Sequence, residues 1–120
     1  MTPFDRIGLA QFRALQRLRG ETVHYRRHDS AEPVTLTLPP AGDDLREVGE
    51  VDTPHGADAF DWLAHRGEFV RRVGRMPEQG DTVQRAATGE RHLVCHRDDP
   101  RAWRPQGPQG GLFVFFAVTE

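Results

Sequence analysis

Residues 22–38 read TVHYRRHDSAEPVTLTL, and this stretch decides the fold. In its first part, successive side chains alternate between two faces, with Val23 and Tyr25 on the same side. The last part, VTLTL at 34–38, alternates in the same way. The intervening residues 28–33 contain Asp, Ser and Pro, which favour a turn. We therefore predict an antiparallel β-hairpin with a loose loop and one buried face.

A helix is predicted before the hairpin, over roughly residues 3–19. Thr2 is a suitable N-cap, Pro3 fits the first helical position, and Gly20 follows the last turn. At about 100° per residue, one face of this helix collects the apolar side chains that we expect to contact the core. These are Phe4, Ile7, Ala14, Leu15 and Leu18.

Other side chains of this helix lie off the predicted core face. Arg6, Arg13 and Arg17 cluster on one side, while Leu9 and Phe12 belong to neither group. One interpretation is a solvated surface with two scattered apolar residues. The other is an interface, in which Leu9 and Phe12 meet a second chain and the arginines face acidic protein or DNA.

The rest of the chain predicts further strands, turns and two long loops. In chain order we expect a strand or single helical turn at 60–63, a short element at 68–73, a turn at 76–81, strands from 82 and at 91–97, and a last strand at 112–118. The last strand is apolar on both faces, which predicts a central position in the fold or one between subunits. The loops span 39–59 and 98–111, and Trp103 lies in the middle of the second.

Together these elements predict one domain over residues 1–120, with the helix at 3–19 and β structure over 21–119. Strands follow one another at hairpin-like spacing, without the alternation of strands and helices that marks a parallel sheet. The predicted fold class is mainly β, a small antiparallel β-barrel or sandwich with an N-terminal α-helix. A chain of 120 residues has room for one modest core.

Composition excludes several classes of protein. The chain has 37% hydrophobic and 28% charged residues, as ordinary globular proteins do. No apolar run approaches the ~20 residues that span a bilayer, and the N-terminus lacks the apolar core of a signal peptide, so we expect a cytosolic protein with no membrane contact. One cysteine excludes an internal disulfide and a cysteine-based zinc site. The net charge of -2 means that nucleic-acid binding would need a local basic patch.

Candidate catalytic and metal-binding groups are weak. A strand over 91–97 would place His92 and His96 on one face and Cys95 on the other, so we expect Cys95 to pack as a small buried hydrophobe. His24 and His28 would converge only if their strand stayed regular, and the acidic pairs fall in or beside loops, where they form caps and turns. No common nucleophile, phosphate-loop or zinc-protease motif is present. We expect no enzyme, no cofactor and no metal.

Nucleic-acid binding is an alternative. Small β-barrels bind single strands through aromatic side chains in a basic groove. Here Tyr25 stands next to Arg26 and Arg27, and Trp103 stands between Arg101 and Arg104. The near-neutral net charge argues against many phosphate contacts.

Four segments carry a resemblance to a known family. They are RGETVHYRR at 19–27 with PVTLTL at 33–38, FDWL at 60–63, and MPEQGDTV at 76–83. Their order is similar to that in the small head-tail joining proteins of tailed bacteriophages, also called head completion or stopper proteins. The third segment resembles the aspartate-aromatic-aliphatic motif of that family, and the fourth resembles its Pro-x-x-Gly-Asp turn before a strand. Trp103 in a proline-rich loop and the final apolar strand also stand in the expected places.

The resemblance implies a structural protein of the virion neck, assembled in the cytoplasm of the bacterial host. Such subunits form a homo-oligomeric ring beneath the portal complex, close the exit for the packaged DNA and provide the platform to which the tail attaches. Portal or adaptor proteins would lie above the ring, and tail or tail-terminator proteins below it. A neighbouring neck or tail-completion role is an alternative within the same particle.

Candidate contact residues follow from this implied role. The subunit or partner interface is expected at Arg6, Leu9, Phe12, Arg13, Arg17, Phe113 and Phe115. The loops that enter the channel or dock onto a neighbouring ring are expected to use Asp43, Asp44, Arg101, Trp103 and Arg104.

Overall fold

The protein forms two antiparallel sheets. The computed structural model describes residues 3–41, 59–96, 100–106 and 111–120, and for residues 3–7 it describes the backbone alone. Within these ranges the elements are α1 (Pro3–Arg19), β1 (Glu21–Arg26), β2 (Val34–Leu38), β3 (Trp62–His65), α2 (Arg66–Val73), β4 (Thr82–Arg85), β5 (Arg91–Val94), β6 (Trp103–Pro105), β7 (Leu112–Phe115) and β8 (Ala117–Thr119).

The larger sheet has five strands in the order β2-β1-β4-β5-β8, and the smaller has three in the order β3-β7-β6. Two isolated bridges join them, one between Pro40 and Trp62 and one between Ala59 and Val118. The arrangement resembles a sandwich and is not a closed barrel. The prediction of a mainly β fold with an N-terminal helix is therefore confirmed.

The predicted hairpin is present as β1 and β2. Val23 pairs with Leu36, and Tyr25 pairs with Val34. Val23 and Tyr25 are fully buried, because alternation along the strand turns both toward the second sheet. Leu36 is also buried, whereas Val34 at the start of β2 is only partly so.

The last apolar stretch was predicted as one strand, but it divides between the two sheets. β7 lies in the centre of the smaller sheet and β8 at the edge of the larger one. Phe113 and Phe115 belong to the main core, while Val114 and Phe116 pack in a second cluster on the other side. Both faces of β7 are apolar because each of them packs against other residues of the same chain. The prediction that Phe113 and Phe115 contact another subunit is wrong, since their exposure is 1% and 0%.

Two further segments differ from the prediction. Residues 98–111 were expected to be a loop throughout, but Trp103–Pro105 forms β6 and pairs with β7. Residues 66–73 form α2. The residue before it, His65, is the N-cap: its ring Nδ1 accepts a hydrogen bond from the backbone N–H of Glu68. The helix ends at Gly74, whose φ of 105° is a left-handed conformation that favours glycine.

Helix α1 packs against β3 and β7 with a different face from the one predicted. Phe12 is 3% exposed and belongs to the core, whereas Leu18 is 81% exposed. Gln16 of the same helix donates its side-chain amide to the backbone oxygen of Thr37 at 2.7 Å. The predictions of Phe12 as an interface residue and of Leu18 as a core residue are therefore both wrong.

Candidate functional site

A groove of about 650 Å³ opens between α1, α2 and the outer edge of β2. Its volume lies in the range of roughly 300–1,000 Å³ that is typical of ligand sites. Its buried apolar lining comes from all three elements and from β3: Phe12, Leu36, Leu38, Ala64 and Phe69.

One wall of the groove is backbone. Arg72 Nη2 donates to the carbonyl oxygen of Thr35 at 2.8 Å, and Gln16 Nε2 donates to that of Thr37. These carbonyls therefore point away from β1 and toward the helices. In an antiparallel strand the N–H and C=O of one residue point to the same side, so the amide groups of Thr35 and Thr37 also face the groove.

The rim of the groove is positively charged. Arg13, Arg17 and Arg72 line it and are exposed, and Glu68 is the acidic residue among the lining side chains. The Glu68 carboxylate is shared between Arg13 at 3.4 Å and Arg71 at 2.6 Å. Its charge is thus largely compensated, and a net positive field remains over the apolar lining. Of the predicted interface set, Arg13 and Arg17 lie here and Leu9 is partly buried against the core.

A second cluster centres on Asp81, which is fully buried at the end of the turn at 76–81. Both terminal nitrogens of Arg75 donate hydrogen bonds to its carboxylate oxygens, at 2.9 and 3.0 Å. Tyr25 donates its hydroxyl hydrogen at 2.5 Å, and the backbone N–H groups of His28 and Glu78 donate at 2.9 and 3.1 Å. The carboxylate therefore ties the turn to β1 and to the loop that follows it.

The charges of this cluster follow from its contacts. Burial alone would raise the pKa of the Asp81 carboxyl, but the hydrogen bonds from Arg75, Tyr25 and the backbone hold it below its ordinary value. Burial raises the pKa of the Tyr25 hydroxyl above its ordinary value, and the adjacent carboxylate raises it further. Asp81 stays ionised and Tyr25 stays neutral at ordinary pH, which suits a permanent tie and not a proton transfer.

A third surface surrounds Trp103. The Arg101 guanidinium lies 4.1 Å and that of Arg66 lies 5.8 Å from the centroid of the Trp103 ring. Arg104 lies 5.8 Å from the ring centroid of Phe116. Trp103 and Arg104 lie on the edge strand β6, and Arg101 lies just before it. Trp103 is partly buried against Phe113, whereas Arg104 contacts Phe116 of the second cluster on the other side. A guanidinium over an aromatic ring contributes about 0.5–1 kcal/mol at an exposed site.

Tyr25 is not part of any nucleic-acid surface. Its ring is fully buried and packs edge-on against Phe69 and Phe115, with centroids 5.0 and 5.8 Å apart. A base cannot stack on a side chain that has no exposed surface, so this half of the nucleic-acid hypothesis is wrong.

The candidate histidines and the cysteine do not converge in the part of the chain that the structure describes. His92 is buried, and its Nε2 lies 2.8 Å from a carboxylate oxygen of Glu90. Cys95 lies beyond the end of β5 and is partly exposed, so it is less buried than predicted. His24 contacts Thr35 and His28 contacts Glu78, and the two do not converge. Within the described ranges, no cluster of three His, Cys, Asp or Glu residues could hold a metal ion.

Some predicted contact residues fall outside the described part of the chain. Asp43 and Asp44 belong to residues 42–58, and the side chain of Arg6 is also among those not described. Sequence reasoning missed Gln16, Arg72 and Glu68 as components of the groove. Gln16 lies off the predicted apolar face of α1, so the sequence carried no signal for it.

Comparison of the chain with known protein families finds no match, and comparison with curated proteins finds none that is significant. In the described residues, neither α1 nor α2 has the length and apolar character required to cross a membrane.

Proposed function

We propose that the protein is a structural subunit of the neck of a tailed bacteriophage or phage-like particle, acting in head-tail joining. It would form a ring beneath the portal complex, close the DNA exit and present the platform for the tail. The observation that carries the proposal is that the segments of the resemblance support one another. Tyr25 of the first segment bonds Asp81 of the Pro-x-x-Gly-Asp turn, and Trp62 of the FDWL segment bridges to Pro40 after β2.

The surfaces suit this role. A ring of identical subunits needs heterologous contacts that close on themselves, with complementary patches on opposite flanks. Leu18 is a large apolar side chain on the surface of α1, next to the exposed Arg17 and Arg19. This outward face of α1 replaces Phe12, Phe113 and Phe115 as the candidate subunit interface. Arg101, Trp103 and Arg104 remain the candidate contacts to a neighbouring ring or to the channel.

The proposal is tested by asking where the protein is found. Mass spectrometry of purified particles should detect it in a ring-like copy number, and gold-labelled antibodies should mark the junction of head and tail. Absence from mature particles would contradict the proposal.

A second candidate function is binding of single-stranded nucleic acid, which the Trp103 surface favours. Arg66 and Arg101 lie close to the partly exposed ring of Trp103 at one edge of the smaller sheet. Titration with a fluorescent oligonucleotide at low salt tests it, because electrostatic binding is strongest there. Loss of binding in Arg101→Ala, with retention in the matched Arg26→Ala variant, would favour this function, because both arginines are exposed.

A further inference from the structure

The groove beside β2 combines two features that suit the binding of an extended chain. It offers the outward-facing backbone groups of an edge strand, and it offers an apolar lining under a rim of arginines. An edge strand of this kind is a template for pairing with another extended chain. We propose that this groove binds an extended, acidic segment of a partner protein, which adds as a strand to β2.

The backbone geometry supports strand addition. Two side chains, from Gln16 and Arg72, occupy the hydrogen-bonding positions of the Thr35 and Thr37 carbonyls. Both are long and flexible, and Arg72 is exposed, so an incoming strand can replace their bonds with its own N–H groups. Peptide recognition by strand addition draws affinity from main-chain bonds and specificity from pockets for alternate side chains.

The side chains of the groove define the chemistry of that segment. Alternate residues of the added strand would lie over Leu36, which is the most exposed of the buried apolar residues that line the groove. The residues between them would face the rim, which carries Arg13, Arg17 and Arg72. The one carboxylate among the lining residues, that of Glu68, is already paired with arginines, so the rim is positively charged. The segment that fits alternates carboxylate and aliphatic side chains. Arginine favours carboxylates because its planar fork can bind them with two hydrogen bonds.

A nucleic acid fits this groove less well. The aromatic rings in it, Phe12 and Phe69, are 3% and 2% exposed and offer no face for a base. The proposal rests on the groove alone and does not depend on the particle in which the protein acts.

The test uses the full chain and three labelled eight-residue peptides, with binding followed by fluorescence anisotropy at low salt. The first alternates glutamate and valine, the second alternates lysine and valine, and the third is the first with N-methylated backbone amides. We expect binding of the first, none of the second, and at least about tenfold weaker binding of the third, because it cannot donate main-chain hydrogen bonds.

Two charge-reversal variants supply the residue-level control. Arg17→Glu changes the rim, and Arg26→Glu changes an exposed arginine of β1 outside the groove. Both sites are exposed, so both variants should keep the circular dichroism spectrum of the parent protein. We expect Arg17→Glu to weaken binding of the glutamate-valine peptide by roughly threefold to tenfold, and Arg26→Glu to leave it within about twofold.

Several outcomes would overturn the proposal. These are failure of the glutamate-valine peptide to bind, equal binding of its N-methylated form, or equal effects of the two variants. Binding of an oligonucleotide that Arg17→Glu abolishes, without peptide binding, would assign the groove to nucleic acid. Self-association in sedimentation that Arg17→Glu abolishes, again without peptide binding, would assign it to a second copy of the chain.

Discussion

Tyr25 donates its hydroxyl hydrogen to Asp81 at 2.5 Å, and neither residue has exposed surface. The bond joins the predicted hairpin to the Gly-Asp turn, which are far apart in sequence. Arg75 forms a bidentate ion pair with the same carboxylate. This network holds together the segments that carry the family resemblance, and it makes the stability of the fold sensitive to a single carboxylate.

Asp81→Asn should destabilise the protein strongly. The amide keeps the shape of the side chain but removes the charge that balances Arg75, and breaking a buried ion pair costs about 3–5 kcal/mol. Urea unfolding followed by tryptophan fluorescence measures the change. Glu120→Gln is the matched control, because Glu120 is exposed and pairs with Arg91 at the surface, away from Arg75. Equal midpoints for Asp81→Asn and the parent protein would contradict the assignment.

The stabilising effect of Asp81 should depend on pH in a defined direction. The folded-state pKa of Asp81 lies below its ordinary value of 3.8, so the native state favours the ionised form. The contribution is fully present above about pH 4 and is lost as the pH falls through the folded-state pKa. The free energy of unfolding should therefore differ between the parent protein and Asp81→Asn by a constant amount near neutrality, and the difference should shrink in acid. A difference that grows in acid would have the wrong sign.

Tyr25 should resist ionisation in alkali. It is the one tyrosine of the chain, so the near-ultraviolet absorbance of tyrosinate reports on it alone. Burial and the Asp81 carboxylate raise the pKa of its hydroxyl, and we expect tyrosinate to appear only when the protein unfolds. Absorbance and circular dichroism should then change together as the pH is raised. Ionisation of the folded protein near the ordinary value of 10.0 would contradict the buried hydrogen bond.

Phe12 and Leu18 should respond in opposite ways to truncation. Phe12→Ala empties a buried site and should cost about 3–5 kcal/mol of unfolding free energy. Leu18→Ala should cost less than about 0.5 kcal/mol, because that side chain is 81% exposed. Thermal denaturation of both variants measures this. If Leu18→Ala proved the more damaging of the two, the rotation of α1 would be wrong.

Leu18 should matter instead for assembly under the proposed function. Leu18→Glu places a charge on the outward face of α1 without touching the core. We expect the purified variant to fold normally and to fail to restore joined particles in a strain that lacks the gene. Arg26→Glu, an exposed charge change on β1, is the control that should restore them. Full restoration by Leu18→Glu would remove this face from the subunit interface.

Local patterns were sufficient for some parts of the fold. The alternation over 22–38 predicted the hairpin, because each strand there has one polar and one apolar face. The Pro and Gly of 76–81 predicted the turn, and Gly80 indeed has a φ of 100°. The partners of Asp81 could not be predicted, since Tyr25 reaches it only through tertiary packing.

Other parts depend on contacts between distant segments. Helix α1 carries apolar side chains on more than one side, so periodicity alone could not decide which of them contact β3 and β7. β6 is three residues long and contains Pro105, and only pairing with β7 makes it a strand. The groove could not be predicted from the sequence, because α1, α2 and β2 each contribute part of it.

The central claim is that the protein joins heads to tails, and electron microscopy of particles made without its gene tests that claim most directly. Heads and tails should be scored separately in the same preparation. We predict packaged or leaking heads beside free, complete tails, with joined particles restored when the gene is supplied again. Normal joined particles in the absence of the gene would contradict the account.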